Sequence, residues 1–409
     1  MSLGGADTEI RIDHMLRKQI LILSIVLSFS IAAAAAPSSG VVTTVAGTPG
    51  VAGYWDGPSS DAMFTHPTWL DVAVGNTRPF TCDEGKSGEI FVVDRANQLV
   101  RRISETGFVS TFKVIRFVPP SRVPLPLDFG SAFGGGIFLE PPGTGCGCGI
   151  YARGVFIASS GTEQVVLAAM DGSLASRDDW NPIIGTGKSG STDGFESAVQ
   201  FHTPTGIARA MKANPGSFPP WALYIADTGN HTIRKATHIL SFEGCPQAWK
   251  FSTLAGSPGQ PGSDDGVGSA ARFNTPRGIA ALPDGTLYVT DASNHTVRRI
   301  APDGTVTTVA GVPGVAGSDD THLNTPSGID VNDKGEVFIV DTFNHAIRML
   351  TTDGKLITIA GQLGVSGFAD GDAASARFNA PVGLKIAPDG SIVIADTGNN
   401  VIRRLLLTR

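Results

Sequence analysis

Long amphipathic helical stretches are missing from this chain, and so are most of the motifs that announce chemistry. No Gly-x-Ser-x-Gly, His-Glu-x-x-His or phosphate-loop pattern occurs, which removes the common signatures of serine hydrolases, zinc peptidases and nucleotide-binding enzymes. EF-hand spacing is absent too. Charged residues make up only 17%, the formal net charge is −6, and no Lys/Arg cluster is interleaved with aromatics. A nucleic-acid-binding face needs such a cluster. Cysteine is scarce, at four residues. What the chain has in quantity is glycine, 51 residues, with 26 prolines, the composition of a turn-rich β protein.

A repeated stretch organises the rest. Asp291-Ala-Ser-Asn-His-Thr-Val-Arg-Arg299 recurs in related form from Asp94, Asp227, Asp341 and Asp396. A worn copy, Ser159-Ser-Gly-Thr-Glu-Gln-Val-Val166, lies midway in the widest gap. Six units at 50 to 68 residues are the period of a propeller or solenoid. Within one unit, a Pro-x-Gly run leads into a short apolar strand, and Pro283-Asp-Gly285 makes a turn. Leu287-Tyr-Val-Thr290 alternates as a half-buried strand. A turn at Asp291–His295 follows, with Asn294 suited to left-handed geometry. Val297–Ile300 and Val306–Ala310 supply a third and a fourth strand. Four antiparallel strands per unit make a propeller blade.

This pattern resembles the NHL repeat family, whose Asn-His-Leu triplet appears here as Asn230-His-Thr, Asn294-His-Thr and Asn344-His-Ala. The resemblance spans residues 41–409, with blade two, which lacks both the Asp and the Asn-His, departing most. It implies an all-β, six-bladed β-propeller and says little about function. Six-bladed propellers of this general kind include lactonases, esterases and a peptide-amidating lyase, several with metals in the central channel. Some intracellular relatives bind RNA through a basic face. The acidic charge here argues against that use.

Both ends of the chain carry information. Residues 1–36 read as an extension followed by a signal peptide: Arg17-Lys18, an apolar run from Ile20, then Ala32–Ala36. Met15 is a candidate start, and an uncleaved anchor over residues 20–36 is the alternative. A secreted or endomembrane-lumen protein is the expectation. Residues 41–47, Val-Val-Thr-Thr-Val-Ala-Gly, copy a fourth strand with no blade before them, while the chain stops after a third strand at Val401–Leu406. The N-terminal strand is therefore expected to close the last blade, protecting edges that an open ring would expose.

Insertions cluster on one face of blades one to three, at residues 75–88, 141–154, 171–181, 211–220 and 238–250. Loops on a rigid scaffold are where function usually sits. This sector holds all four cysteines, Cys82, Cys146, Cys148 and Cys245, read as disulfides of open pairing in an oxidising compartment. It also holds Phe80, Trp180, Phe218, Trp221, Phe242 and Trp249, aromatics of the type that anchor interfaces. The expected partner is a protein or extracellular ligand, with no nucleic acid.

Three further sets of residues are candidates for function. The loops entering each blade repeat an acidic pattern at Asp56, Asp193, Asp264-Asp265, Asp319-Asp320 and Asp370. A divalent cation such as calcium is one use for such carboxylates, and helix N-capping is the simpler one. The repeated Asp and Arg of each hairpin are expected to pair, and His231, His295 and His345 to serve the turns. Asn230 and Asn294 head glycosylation sequons. Asp71, Arg209, Asp330 and Lys385 on the inner strands are channel candidates without a recognisable triad. The reading is a noncatalytic binding propeller with no predicted cofactor. A channel-centred, metal-dependent hydrolase or lyase is the alternative.

Overall fold

The computed structural model describes residues 39–73, 88–112, 115–118, 121–124, 137–139, 154–169, 183–210, 222–240 and 246–408. They form six antiparallel sheets of four or five strands, plus one two-stranded hairpin of Ile115–Val118 and Ser121–Pro124 in the Pro-rich connector. Each of the six larger sheets is a blade. Blade four shows the order: Pro276–Ala281 innermost, then Leu287–Asp291, Thr296–Ile300 and Thr305–Ala310. A two-residue strand, Gly266–Val267, is added outside the fourth. Blade two, placed in the sequence only by spacing, is a four-stranded sheet from Ile137–Leu139 out to Ile183–Ile184. Among the described residues no helix is long and apolar enough to cross a membrane.

The last blade is closed as the sequence implies. Gly40–Ala46 pairs antiparallel with Val401–Leu407, Thr43 opposite Arg404. The chain ends are thereby joined through backbone hydrogen bonds.

The core lies between blades. Each sheet has two apolar faces, so no blade buries its surface alone, and the described apolar clusters each join neighbours. One unites Tyr224, Ile233 and Ala255 of blade three with Ile279, Val289 and Ile300 of blade four. Another joins Val393 and Ile402 of blade six to Leu70 and Val92 of blade one. At the axis the inner strands come so close that glycine is required. A Cβ on Gly278 would sit 2.2 Å from the Ser327 carbonyl oxygen of the next blade, and one on Gly383 would sit 2.1 Å from that of Thr68. This is the physical content of the Pro-x-Gly motif.

The hairpin of blade three differs from the sequence reading. The sequence predicts a loop insertion over residues 238–250, but Thr232–Leu240 and Pro246–Gly256 are long paired strands, with Ala248 opposite Ile239. Trp249 therefore lies on a strand. It is 2% exposed and packs edge-on against Phe156 of blade two at 6.0 Å. Its indole belongs to the core between blades two and three and is not a surface anchor.

Candidate functional site

Polar chemistry in this fold occurs in two settings: a network repeated in nearly every blade, and a cluster found once near the axis. The repeated network begins at the Asp that ends the second strand. In blade four Asp291 accepts from the Asn274 backbone N–H at 2.6 Å, from Asn294 Nδ2 at 2.7 Å and from Arg298 Nη1 at 2.9 Å. Both Asp291 and Arg298 are fully buried. The other guanidinium nitrogen of Arg298 meets Asp265 at 2.7 Å, and the ring of Phe273 lies 5.1 Å from the guanidinium carbon. Blades one, three and six repeat this as Asp94–Arg101–Asp56, Asp227–Arg234–Asp193 and Asp396–Arg403–Asp370. The Asp–Arg pairing expected across each hairpin is present.

The acidic loop residues are not helix caps. The single 3-10 turn after Asp265 has Val267 at its N-cap and no side-chain capping bond. Asp265 instead accepts from Arg298 and from the N–H and hydroxyl of Thr308, at 2.7, 3.1 and 3.0 Å. These donors hold its carboxyl below the usual range against the opposing effect of burial. The deeper carboxylates respond otherwise. Burial pushes Asp227, Asp291, Asp341 and Asp396 up to about 6, against the pull of their Arg and Asn donors. Among the described residues no three His, Cys, Asp or Glu side chains converge as a metal cage requires.

The Asn-His pair has a division of labour. Asn230 and Asn294 donate both amide hydrogens, to Gly190 and Gly262 carbonyls at 2.6 Å and to Asp227 and Asp291 at 2.8 and 2.7 Å. Both are buried. A glycan on either nitrogen would take the place of one donated hydrogen, so at least one of these bonds would be lost. His231, His295 and His345 are left-handed turn residues whose Nδ1 reaches the next blade. They accept from the N–H of Thr275, Thr325 and Ala380 at 3.1, 3.0 and 2.9 Å. Glu163 does the same for Thr203 in blade two, and Asn400 for His66 across the seam.

The unrepeated cluster joins three of the four channel candidates. Lys385 Nζ lies 3.6 Å from Asp71 Oδ1 and 3.5 Å from Asp330 Oδ2. The three residues come from blades six, one and five, and each sits at the same register of its inner strand, opposite Val393, Phe91 and Phe338. In blades three and four that register holds Ala208 and Ala280. The shared offset from the Pro-x-Gly motif was the signal available in the sequence. Asp71 also accepts from Val72 N–H and Asp330 from Ile386 N–H. Burial alone would lower the ammonium pKa, but Asp330 and Asp71 outweigh it and hold it above the ordinary value. Lys385 therefore stays charged, unlike a catalytic lysine tuned to lose its proton. Arg209 is one residue further along its strand, opposite Leu223, so its side chain leaves from the other side.

Phe80, Cys82, Cys146, Cys148, Trp180, Phe218, Trp221, Phe242 and Cys245 lie outside the described residues. Exposed aromatics among the described residues, none singled out in the sequence, are Tyr54, Trp55, Phe108, Phe195, Phe343 and Phe368.

Comparison with known proteins follows the same lines. Residues 273–300, the inner three strands of blade four, match the family model described as NHL repeat. NHL repeat-containing protein 2 of Homo sapiens is 37% identical over 100 residues, which are 24% of this chain and 12% of that protein. The chain thus spans a small part of that relative. The chloroplastic protein SUPPRESSOR OF QUENCHING 1 of Arabidopsis thaliana is 23% identical over 375 residues, covering 89% of this chain and 27% of its own length. Among solved structures, an auxiliary nutrient binding protein from Bacteroides thetaiotaomicron VPI-5482 superposes with a TM-score of 0.59 at 18% identity. That match covers 91% of this chain and 77% of the other, and at this identity it speaks for the fold alone. With Asp, Asn, His and Arg of the repeat recurring in most blades, the chain is a six-bladed β-propeller that carries an NHL repeat at residues 273–300.

Proposed function

We propose that this propeller is a noncatalytic binding scaffold, engaging a protein or extracellular ligand through the loops inserted in blades one to three. The observation that carries this is the fate of the polar residues. Buried arginines, their carboxylates, the asparagines and the turn histidines are engaged in holding blades together. The one unlike cluster among the described residues, Asp71–Lys385–Asp330, spans three blades and sets one ammonium between two carboxylates. By sequence, the insertions at residues 75–88, 141–154, 171–181 and 211–220 all fall in blades one to three, and we read them as sharing one face. Secretion fits this use and rests on the signal-like residues 15–36.

The test is to replace residues 211–220 and 171–181 by short Asp-Gly turns like those of blades four to six. Captured partners are then compared by mass spectrometry with those of the unaltered chain secreted from the same cells. Loss of a saturable partner with an unchanged melting temperature supports the proposal. Retention of every partner sinks it.

A second reading, a channel-centred hydrolase or lyase using a divalent cation, draws on the convergence of Asp71 and Asp330. Lys385 stands between these carboxylates, in the place such a cation would need. One tightly held divalent ion per chain, with lactone or ester turnover lost in Asp71→Ala, would favour this reading over the scaffold.

A further inference from the structure

Blade five lacks something that four other blades have. In blades one, three, four and six the outer strand is covered by a two-residue strand that begins with glycine: Gly57, Gly194, Gly266 or Gly371. The residue before that glycine is always the clamp aspartate. Its carboxylate accepts from the N–H and hydroxyl of a threonine in the outer strand and from the buried arginine. For Asp265 these partners are Thr308 and Arg298, and for Asp193 they are Thr253 and Arg234.

The connection entering blade five is shorter. Gly256 to Pro276 covers 20 positions, whereas Gly311 to the matching Pro326 covers 15. The deleted stretch is the Gly-x strand with its 3-10 turn, and Leu356–Ala360 is left as the outermost strand of a four-stranded sheet. The receiving groups remain. Thr358 stands opposite Arg348 as Thr308 stands opposite Arg298. No carboxylate in the described residues bonds Thr358. Asp320, the nearest counterpart of the clamp, is 85% exposed and 3.8 Å from Arg348, while Asp319 bonds its own neighbours Thr321 and His322. Arg348 is also held more loosely. It meets Asp341 at 3.2 Å, against 2.8–2.9 Å for the matching pairs elsewhere.

We propose that the outer edge of blade five is a receptor for an extended Asp-Gly segment of a partner protein. The segment adds as a fifth strand, its carboxylate bonding Thr358 and Arg348. An exposed edge is a template for strand addition, with main-chain bonds supplying affinity and side-chain contacts specificity. Here the chain itself displays the occupant four times over. Arg348 is fully buried beside the exposed Asp320 at 3.8 Å, and it supplies charge complementarity when the incoming acidic residue, at the position preceding the glycine, takes the place of Asp320. This surface is separate from the loops of blades one to three, so its fate does not depend on theirs.

The probe is a fluorescent synthetic peptide with the sequence of residues 263–271, Ser-Asp-Asp-Gly-Val-Gly-Ser-Ala-Ala, titrated into the whole protein. Saturable binding is expected, weakened about tenfold or more when the second Asp of the peptide is replaced by Asn, since charge-assisted hydrogen bonds are lost. Thr358→Val should weaken binding similarly. Thr308→Val, in a blade already covered by its own chain, should leave it unchanged. Absence of saturable binding, or equal affinity in Thr358→Val, would overturn the proposal. Amide exchange gives a second reading on the free protein. Thr358 N–H should exchange faster than Thr308 N–H, and equal protection would show the edge already closed.

Discussion

A buried arginine with two carboxylate partners is the recurrent residue-scale device of this propeller, and its energetics are asymmetric. Removing Arg298 and Asp291 from water is costly, and their attraction only balances that cost when every lone pair and proton is matched. Most of the match here comes from Asn294, the Asn274 N–H, Asp265 and the Arg272 carbonyl, while the buried Arg298 Nε is left without a hydrogen-bond partner. Asp291→Ala leaves Arg298 buried with one partner gone. A loss of about 3–5 kcal/mol is expected in chemical denaturation, with part regained in the double variant Asp291→Ala, Arg298→Met. A smaller loss in the single variant, below about 1 kcal/mol, would mean water replaces the carboxylate. The first half of this network was legible, because the Asp and Arg recur at fixed spacing across one hairpin. The second half was not. Asp265 and Arg298 are 33 residues apart, and an acidic residue before a short turn looks like an ordinary cap. Likewise the shared position of Asp71, Asp330 and Lys385 could be found in the sequence, but not that the three meet around one ammonium. Trp249 was misplaced because a strand extended beyond the usual hairpin looks in sequence like an inserted loop.

At the scale of the turn element, Asn and His divide between blade and interface. Asn ties the turn to its own blade, and His carries it to the next. The acceptor role of His231, His295 and His345 requires a neutral ring, because protonation would set N–H against N–H. Burial lowers the pKa of all three. A folded-state pKa below the unfolded value of about 6.5 means that the unfolded chain binds protons more readily. Each histidine then contributes stability that is full above about pH 6.5 and is lost as pH falls toward the lowered folded value. The buried carboxylates pushed up to about 6 act with the opposite sign, so the difference between two proteins is the informative quantity. Replacing the three histidines by Gln, which can still accept as Glu163 and Asn400 do, cancels the carboxylate contribution. Unfolding free energies at pH 7.5 and 5.0 should show the wild type losing more on acidification than the triple variant, by about 1.4 kcal/mol per pKa unit of depression. Parallel pH profiles would show that the rings tolerate protonation in place. The same geometry bears on the sequons. With both Nδ2 hydrogens of Asn230 and Asn294 donated inside the fold, peptide mapping of protein secreted by a eukaryotic host should find these asparagines unmodified. Full occupancy would show that the turns form after glycan transfer by some other set of bonds.

For the molecule as a whole, the closure of the ring decides how the blades share their stability. Each interface is an apolar cluster between neighbours, so a ring with an unfinished blade exposes two interfaces and an open strand edge. The seam between blades six and one is held at several radii. At the axis, Gly383 approaches Thr68 and Lys385 reaches Asp71. In the turns, Asn400 accepts from His66, and at the rim Gly40–Ala46 completes the sheet. That strand is itself covered by Gly371–Asp372, and Thr44 receives the clamp carboxylate Asp370. Deleting residues 40–46 therefore removes more than one strand. Buried Val42 and Ala46 go, Val42 alone accounting for about 1.5–3 kcal/mol. Asp370 loses both Thr44 donors, and the cover strand loses its partner. A fall in melting temperature larger than for any single substitution above is expected. A synthetic peptide of residues 39–47 should restore it in proportion to concentration, because binding to the folded state alone stabilises by mass action. If the deletion melts like the intact chain, the seam is held from within by the inner strands, and the N-terminal strand is only an added edge. If it destabilises and the peptide rescues, closure is a property of the outer rim. Blade five, whose fourth strand has no cover strand, then has a weaker rim than blades one, three, four and six.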